Sequence, residues 1–335
     1  MKGVLHIGMP KCMSTSIQTY LREAENVFFA GVGESRLTEP DMLLAVQRMI
    51  IRTPSQFYDA DYVGEVFKEA EQKAIEAGAE IFALSDETIP FPLGYARADT
   101  SYTERLLRLK AVMPQETTVL MMVRRPEDYL KSTYKHRTVM NGMNFSFEEY
   151  LKRLILLGDT NLLGTLKYFN FAEVARRIFG SVKVIAMEAV SDDESEFLRL
   201  FNAPNAGRIV RGRLPRENSG MADAKFANFR DLHASYGDAL SDDDFNVLSP
   251  ADRIVTRGNR AYFNSVLAGA IAKDQTLGGL RDLAISLADR PSEPCFEMSE
   301  ETRKQLIDYV TPANALLKEH HGIEIEDYGY DLFGS

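Results

Sequence analysis

The chain has no tryptophan, only two cysteines among its 335 residues, and no apolar run near the ~20 residues that a membrane-spanning helix needs. Each scarcity excludes something. Cys12 and Cys295 stand too far apart to make a disulfide framework, which points to a reducing compartment. The longest greasy stretch, Met42 to Ile51, is broken by Gln47 and Arg48. Positive charge is in deficit: 39 Lys+Arg against 49 Asp+Glu give a formal net charge of −10. A general nucleic-acid-binding surface is therefore not expected, because neutralising phosphates takes a basic face, although a local basic pocket is compatible with this balance. Near the N-terminus, Val4-Leu5-His6-Ile7 is too short for a signal-peptide core and lacks a small-residue cleavage site. A soluble, cytoplasmic protein with no membrane span and no nucleic-acid partner is expected.

What is present is ordinary globular material, 45% hydrophobic, enough to bury a large core without staples. Short β-rich runs at Gly3–Ile7, Val27–Ala30, Glu80–Leu84, Thr118–Val123 and Val182–Ala186 read as strands. Between them, helical spacing covers Ser16–Ala24, Glu39–Ile51, Tyr62–Ala77, Tyr102–Val112, Glu127–Val139, Phe147–Leu157 and Phe171–Phe179. Strands alternating with helices predict an α/β fold with a central, mostly parallel sheet flanked by helices. The unbroken apolar run Val119–Val123 suits a strand buried on both faces. After about residue 200 the strand signal fades. Asn202–Gly220 reads as a long irregular segment, and from Asp223 the pattern is mainly helical, ending in a helix over about Ser299–His320. No linker or repeat splits the chain, so residues 1–335 read as one domain: a sheet core over 1–200 and a mainly helical elaboration over 201–335.

Two segments carry chemistry. In the first, the strand Val4–Ile7 runs through a tight turn at Gly8 into Pro10-Lys11-Cys12-Met13-Ser14-Thr15-Ser16, which opens a helix. Backbone N–H groups at a helix start, hydroxyl donors and a lysine together make an anion site. Ser14 to Ser16 as simple helix caps, with Lys11 solvated, is the competing reading. It is not the Walker pattern, because the lysine precedes the hydroxyl cluster. In the second segment, the strand Val119–Val123 ends on Arg124, Pro126 starts a helix, and Ser132 follows along it. Ligands of open α/β sheets collect at the carboxyl ends of strands, so the two segments are expected to face one crevice.

These residues resemble the sulfotransferases that use 3′-phosphoadenosine 5′-phosphosulfate (PAPS). Their first loop, P-K-[TSC]-G-[TS]-[TS]-[SF], appears here as Pro10 to Ser16; their second motif, R-x-P followed by S-x-Y, is matched by Arg124, Pro126, Ser132 and Tyr134. Weaker echoes are Leu84-Ser85-Asp86-Glu87, Val184 to Glu188, and Pro312 to Leu317 before Gly322. The resemblance implies a P-loop-like fold, PAPS as sulfuryl donor, 3′,5′-adenosine bisphosphate as product and no metal. It implies that Lys11, Cys12, Met13, Ser14, Thr15 and Ser16 hold the 5′-phosphosulfate, and that Arg124 and Ser132 hold the 3′-phosphate. One departure stands out: Met13 occupies the place where the family has glycine, and the loop accommodates it if its φ is negative.

By the same resemblance the sulfuryl group passes in line to an acceptor hydroxyl or amine, with Lys11 stabilising the charge that develops on the leaving phosphate. Glu87 is the expected base that takes the acceptor proton, with Asp86 second; either could equally be a helix-start or surface acid. His136 shares a helix face with Ser132 and is a candidate for substrate binding or for the base, or simply a satisfied, partly exposed histidine. Arg213 and Arg216, in the arginine-bearing stretch Arg208–Ser219, are candidates for covering the cofactor, where a solvated loop is the plainer alternative. Cys12 is expected to be a loop-packing residue, in a setting beside Lys11 and a helix start that lowers a thiol pKa. His6 is assigned a structural role in the first strand. The acceptor, a small molecule, a carbohydrate or a peptide tyrosine, has no motif of its own, and oligomeric state is open. A P-loop-like small-molecule kinase and a non-catalytic nucleotide-binding relative are the alternatives.

Overall fold

A computed structural model describes residues 1–9, 11–31, 40–91, 100–141, 146–192, 195–201 and 296–323. The expectations for Arg213, Arg216 and the helical stretch after Asp223 lie outside them. The chain divides into two compact units: the first comprises Met1–Tyr129, Leu154–Asn218 and Arg303–Ser335, and the second Leu130–Arg153 and Ser219–Thr302.

The first unit is built on five parallel strands, β1 (Lys2–His6), β2 (Val27–Gly31), β3 (Ile81–Ser85), β4 (Thr117–Val123) and β5 (Val182–Ala186), in the order β2-β3-β1-β4-β5. The α/β reading holds. Strand β1 is central, in register with β3 at His6↔Ser85 and with β4 at His6↔Leu120. Helices α1 (Ser14–Glu23), α3 (Ala60–Glu76), α4 (Tyr102–Val112) and α7 (Tyr168–Phe179) make the crossovers that parallel pairing requires. Residues Val119 to Val123 are all fully buried, as a strand covered on both faces demands.

Local chemistry sets the helix ends. Asp59 caps α3 by accepting the Tyr62 N–H at 2.9 Å, and Ser101 caps α4 by accepting the Glu104 N–H at 3.2 Å. Gly180, at φ 81°, closes α7 in the left-handed conformation that glycine takes without a Cβ penalty. The expected helix over 39–51 is instead a short α-helix, α2 (Pro40–Leu43), followed by a π-helical segment over Leu44–Ile50. Its end is held from outside: the Arg108 guanidinium donates to the carbonyls of Met49, Ile50 and Thr53, and the Thr100 hydroxyl to that of Ile51. Side-chain donors have taken over carbonyls that an α-helix would keep for itself.

A second buried arginine organises the segment after β3. Arg105, fully buried on α4, donates through Nη1 to the carbonyls of Ile89 and Phe91, each at 2.7 Å, through Nε to the Thr100 hydroxyl at 3.1 Å, and through Nη2 to the Thr100 carbonyl. Further on, Asn314 of the long helix α8 (Glu300–His321) bridges the start of α7, accepting the Tyr168 N–H and donating to the Leu166 carbonyl.

In the second unit, Ser146 and Glu149 form a reciprocal capping box at the start of α6 (Phe147–Leu157). Tyr134, on α5 (Pro126–Asn141), packs edge to face with Phe147 and Phe296. Among the described residues, no helix is long and apolar enough to cross a membrane.

Candidate functional site

The sheet order changes sides at β1: the chain goes from β1 to the edge strand β2 and returns inward to β3 on one side, then builds outward through β4 and β5 on the other. The crevice at such a switch point, beyond the carboxyl ends of the strands, is where open α/β sheets place ligands. Here those ends are the segments following His6 and Val123. The backbone after β1 stays bound to β4, with the N–H of Ile7 on Leu120 and that of Met9 on Met122, before it turns into α1. The Arg124 Nη1 then donates to the carbonyl of Lys11 at 3.1 Å, joining two segments 113 residues apart.

The loop that carries Lys11 is conformationally tense. Lys11 (φ 66°) and Met13 (φ 61°) are both left-handed, and they are the non-glycine residues of positive φ among the described residues. Residues of alternating backbone hand turn successive N–H groups inward to a concavity that suits anions. The condition of a negative φ is not met at Met13, which takes the left-handed conformation that glycine adopts without a Cβ penalty. The side chain pays for the geometry in strain of about 1–2 kcal/mol. Met13→Gly is therefore expected to raise stability by roughly 0.5–1 kcal/mol, since greater freedom of the unfolded chain cancels part of the relief. A higher urea midpoint at unchanged m-value is the readout.

Gly8 is needed for a different reason from the tight turn expected of it. Its φ is not left-handed; what matters is space, because a Cβ there would lie 2.4 Å from His6 Nε2 and 3.3 Å from Ser14 Oγ. Helix α1 begins at Ser14, two residues before the predicted start, so the N–H groups of Ser14, Thr15 and Ser16 precede any intrahelical acceptor. Ser14 and Ser16 are buried and Thr15 is exposed. The Ser14 hydroxyl is buried with no hydrogen-bond partner.

Charges converge on the loop. Burial lowers the Lys11 pKa, nearby Arg124 lowers it further, and Glu87 works the other way. The expectation of a lowered pKa for Cys12 is overturned: its thiol is fully buried, and that burial raises its pKa beyond what Arg124 can offset. The Cys12 N–H is used on the Met9 carbonyl at 3.1 Å. Cys12 thus forms the floor of the loop.

The two candidate bases separate clearly. Asp86 Oδ1 accepts the N–H and hydroxyl of Thr88, at 2.8 and 2.6 Å, and Oδ2 accepts from Gln47 of the π-helical segment. Asp86 is thereby built into the turn. Glu87 is half-buried and acts electrostatically on both Lys11 and Cys12. Glu188, quoted in the sequence only as an echo, also belongs here: its Oε1 accepts the Arg125 N–H at 3.0 Å, and the Tyr168 hydroxyl donates to the Arg124 carbonyl at 2.7 Å. Together they fix the strand end from which Arg124 extends. A carboxylate just past a strand end, such as Glu188 after β5, was the available signal. Ser132 and His136 belong to the second unit, where His136 is exposed.

No family model matches the chain, and no curated protein matches it. Among solved structures it is similar to a sulfotransferase. That protein, from Alicyclobacillus acidocaldarius, shares 14% identity over 98% of this chain and 99% of its own, with a TM-score of 0.47. A likeness of that strength bears on neither the activity nor the site residues.

Proposed function

We propose that the crevice at the ends of β1 and β4 binds PAPS and that the protein transfers its sulfuryl group to an acceptor hydroxyl or amine. The observation that carries this reading is the Arg124–Lys11 contact, which unites the two anion-binding motifs at the switch point. The residues present fit such a donor: a buried hydroxyl with no partner at Ser14, first-turn N–H groups, and two cations beside them. PAPS, when bound, supplies the sulfuryl group and a phosphate leaving group.

This chain's residues have distinct tasks. Lys11, with the N–H groups of Ser14, Thr15 and Ser16, holds the anionic end and offsets the charge that develops on the leaving oxygen. Arg124 binds a second anionic group, the 3′-phosphate, with a planar set of donors that suits it. The Glu87 carboxylate is the proposed base that takes the acceptor proton.

Calorimetric titration of 3′,5′-adenosine bisphosphate with and without EDTA tests the reading. Binding is expected to be indifferent to the chelator. Lys11→Ala and Arg124→Ala are each expected to weaken it by about tenfold to a hundredfold, the scale of a lost hydrogen bond to a charged group. Absence of binding, or binding only of ATP with Mg²⁺, would overturn it; the second outcome would favour a kinase.

A further inference from the structure

Beneath the loop lies a chain of buried polar groups that the proposed function does not use. Gln18 Nε2 donates to Ser85 Oγ at 3.2 Å, and Ser85 Oγ lies 2.7 Å from His6 Nδ1. His6 and Ser85 are wholly buried. On the other side of the imidazole, Nε2 is buried with no partner, and so is Ser14 Oγ; both border the space left by the missing side chain of Gly8. Two polar atoms without partners around one glycine, under the start of a ten-residue helix, are a costly arrangement unless something completes it.

Ser85 Oγ accepts from Gln18, and the arrangement that also bonds its own proton gives that proton to His6 Nδ1, the acceptor within reach. That leaves the imidazole proton on Nε2, facing Gly8 and Ser14. Burial also drives the His6 pKa down to about 3, so the ring is neutral and carries one proton.

We infer that His6 is a positioning residue for the anion loop: its Nε2–H, fixed in that tautomer by Ser85 and Gln18, donates to Ser14 Oγ through one water, and so directs the Ser14 hydroxyl proton to an oxygen of the bound phosphosulfate. The inference rests on the donor-site reading above. The relay runs from Gln18 through Ser85, His6 and Ser14 to the ligand, each hydroxyl or ring accepting on one side and donating on the other. A neutral ring suits this task. It supplies direction without placing a buried charge under Lys11.

The experiment compares His6→Asn, His6→Gln and Ser14→Ala for binding of 3′,5′-adenosine bisphosphate and for thermal midpoint. Asparagine can keep the contact to Ser85 but not the donor towards Ser14; glutamine places its amide nitrogen near the Nε2 position. His6→Asn and Ser14→Ala are each expected to weaken binding by about tenfold. His6→Gln is expected to retain most of the affinity, and the His6→Asn/Ser14→Ala double variant to bind no worse than the weaker single one. Equal losses in Asn and Gln variants that track their thermal midpoints would overturn the inference, as would wild-type affinity in His6→Asn. Nitrogen-15 spectra of the histidines give a ligand-free readout: a proton on Nε2 from pH 5 to 8 supports it, and a proton on Nδ1 overturns it. Failure of the wild-type protein to bind would overturn the donor-site reading as well, whereas wild-type binding with unaffected variants overturns this inference alone.

Discussion

Arg105→Met is expected to lower the stability of the protein by about 3–5 kcal/mol, the largest single effect anticipated outside the loop. Arg105 is fully buried, and the carbonyls of Ile89, Phe91 and Thr100 depend on its guanidinium for hydrogen bonds. Methionine has similar bulk and no donor, so each carbonyl would stay buried at a cost of roughly 1–3 kcal/mol, partly relieved by water entry. Lysine should recover less than half of the loss, because a point charge cannot reach carbonyls arranged around a planar fork. Urea unfolding monitored by circular dichroism checks both variants. The segment held by Arg105 begins directly after Glu87, so with Glu87 as the proposed base, turnover should fall more than donor affinity under conditions where the methionine variant stays folded. A variant as stable as the parent would show that the segment is held by other contacts.

Gly8→Ala is the second large effect. The new methyl group would sit 2.4 Å from His6 Nε2 and 2.8 Å from its Cε1, and that ring is pinned by Ser85 and wholly buried. Overpacking of this kind costs about 1–3 kcal/mol, and here the strain falls on the loop itself. A destabilisation of about 2–3 kcal/mol is expected, with binding of 3′,5′-adenosine bisphosphate reduced by an order of magnitude or more. His6→Ala in the same chain removes the obstructing ring and should restore a good part of the lost stability, although not the affinity. Thermal denaturation of the two singles and the double closes the cycle. Additive losses would mean that the alanine meets some other obstacle.

The sheet was legible because each strand is a short β-rich run bounded by breakers, and such runs have few other folded states. All five appear within a residue or so of their predicted limits, and the helices Tyr102–Val112 and Phe147–Leu157 match to the residue. The π-helical segment was not legible, since it depends on Arg108 and Thr100, more than 45 positions onward, capturing its carbonyls. Arg105 was hidden for a related reason: on a helical pattern an arginine reads as part of the solvated face, and nothing local tells that a distant turn presents carbonyls to it. At the site, the types and spacing of Lys11, Ser14 and Arg124 were readable as a candidate anion site, and the structure joins Arg124 to the Lys11 carbonyl. The left-handed backbone at Met13 was not, as methionine is a poor marker for positive φ. Glu188 and His6 were visible as residues but not in their roles, which follow from which atoms the sheet register places beside them.

The strand order has a kinetic consequence. Strand β1 lies at the centre of the sheet, yet it precedes in the chain both strands that flank it, and its partners Ile81 and Thr117 are far along the sequence. No short loop can bring them together, so the loss of chain entropy comes before any pairing is formed, which makes for slow folding. Until β3 and β4 arrive, the apolar Val4, Leu5 and Ile7 have no sheet to join. In a refolding experiment, the loop that carries Lys11 should therefore be among the last parts to become native, and chaperones would act chiefly on that late step.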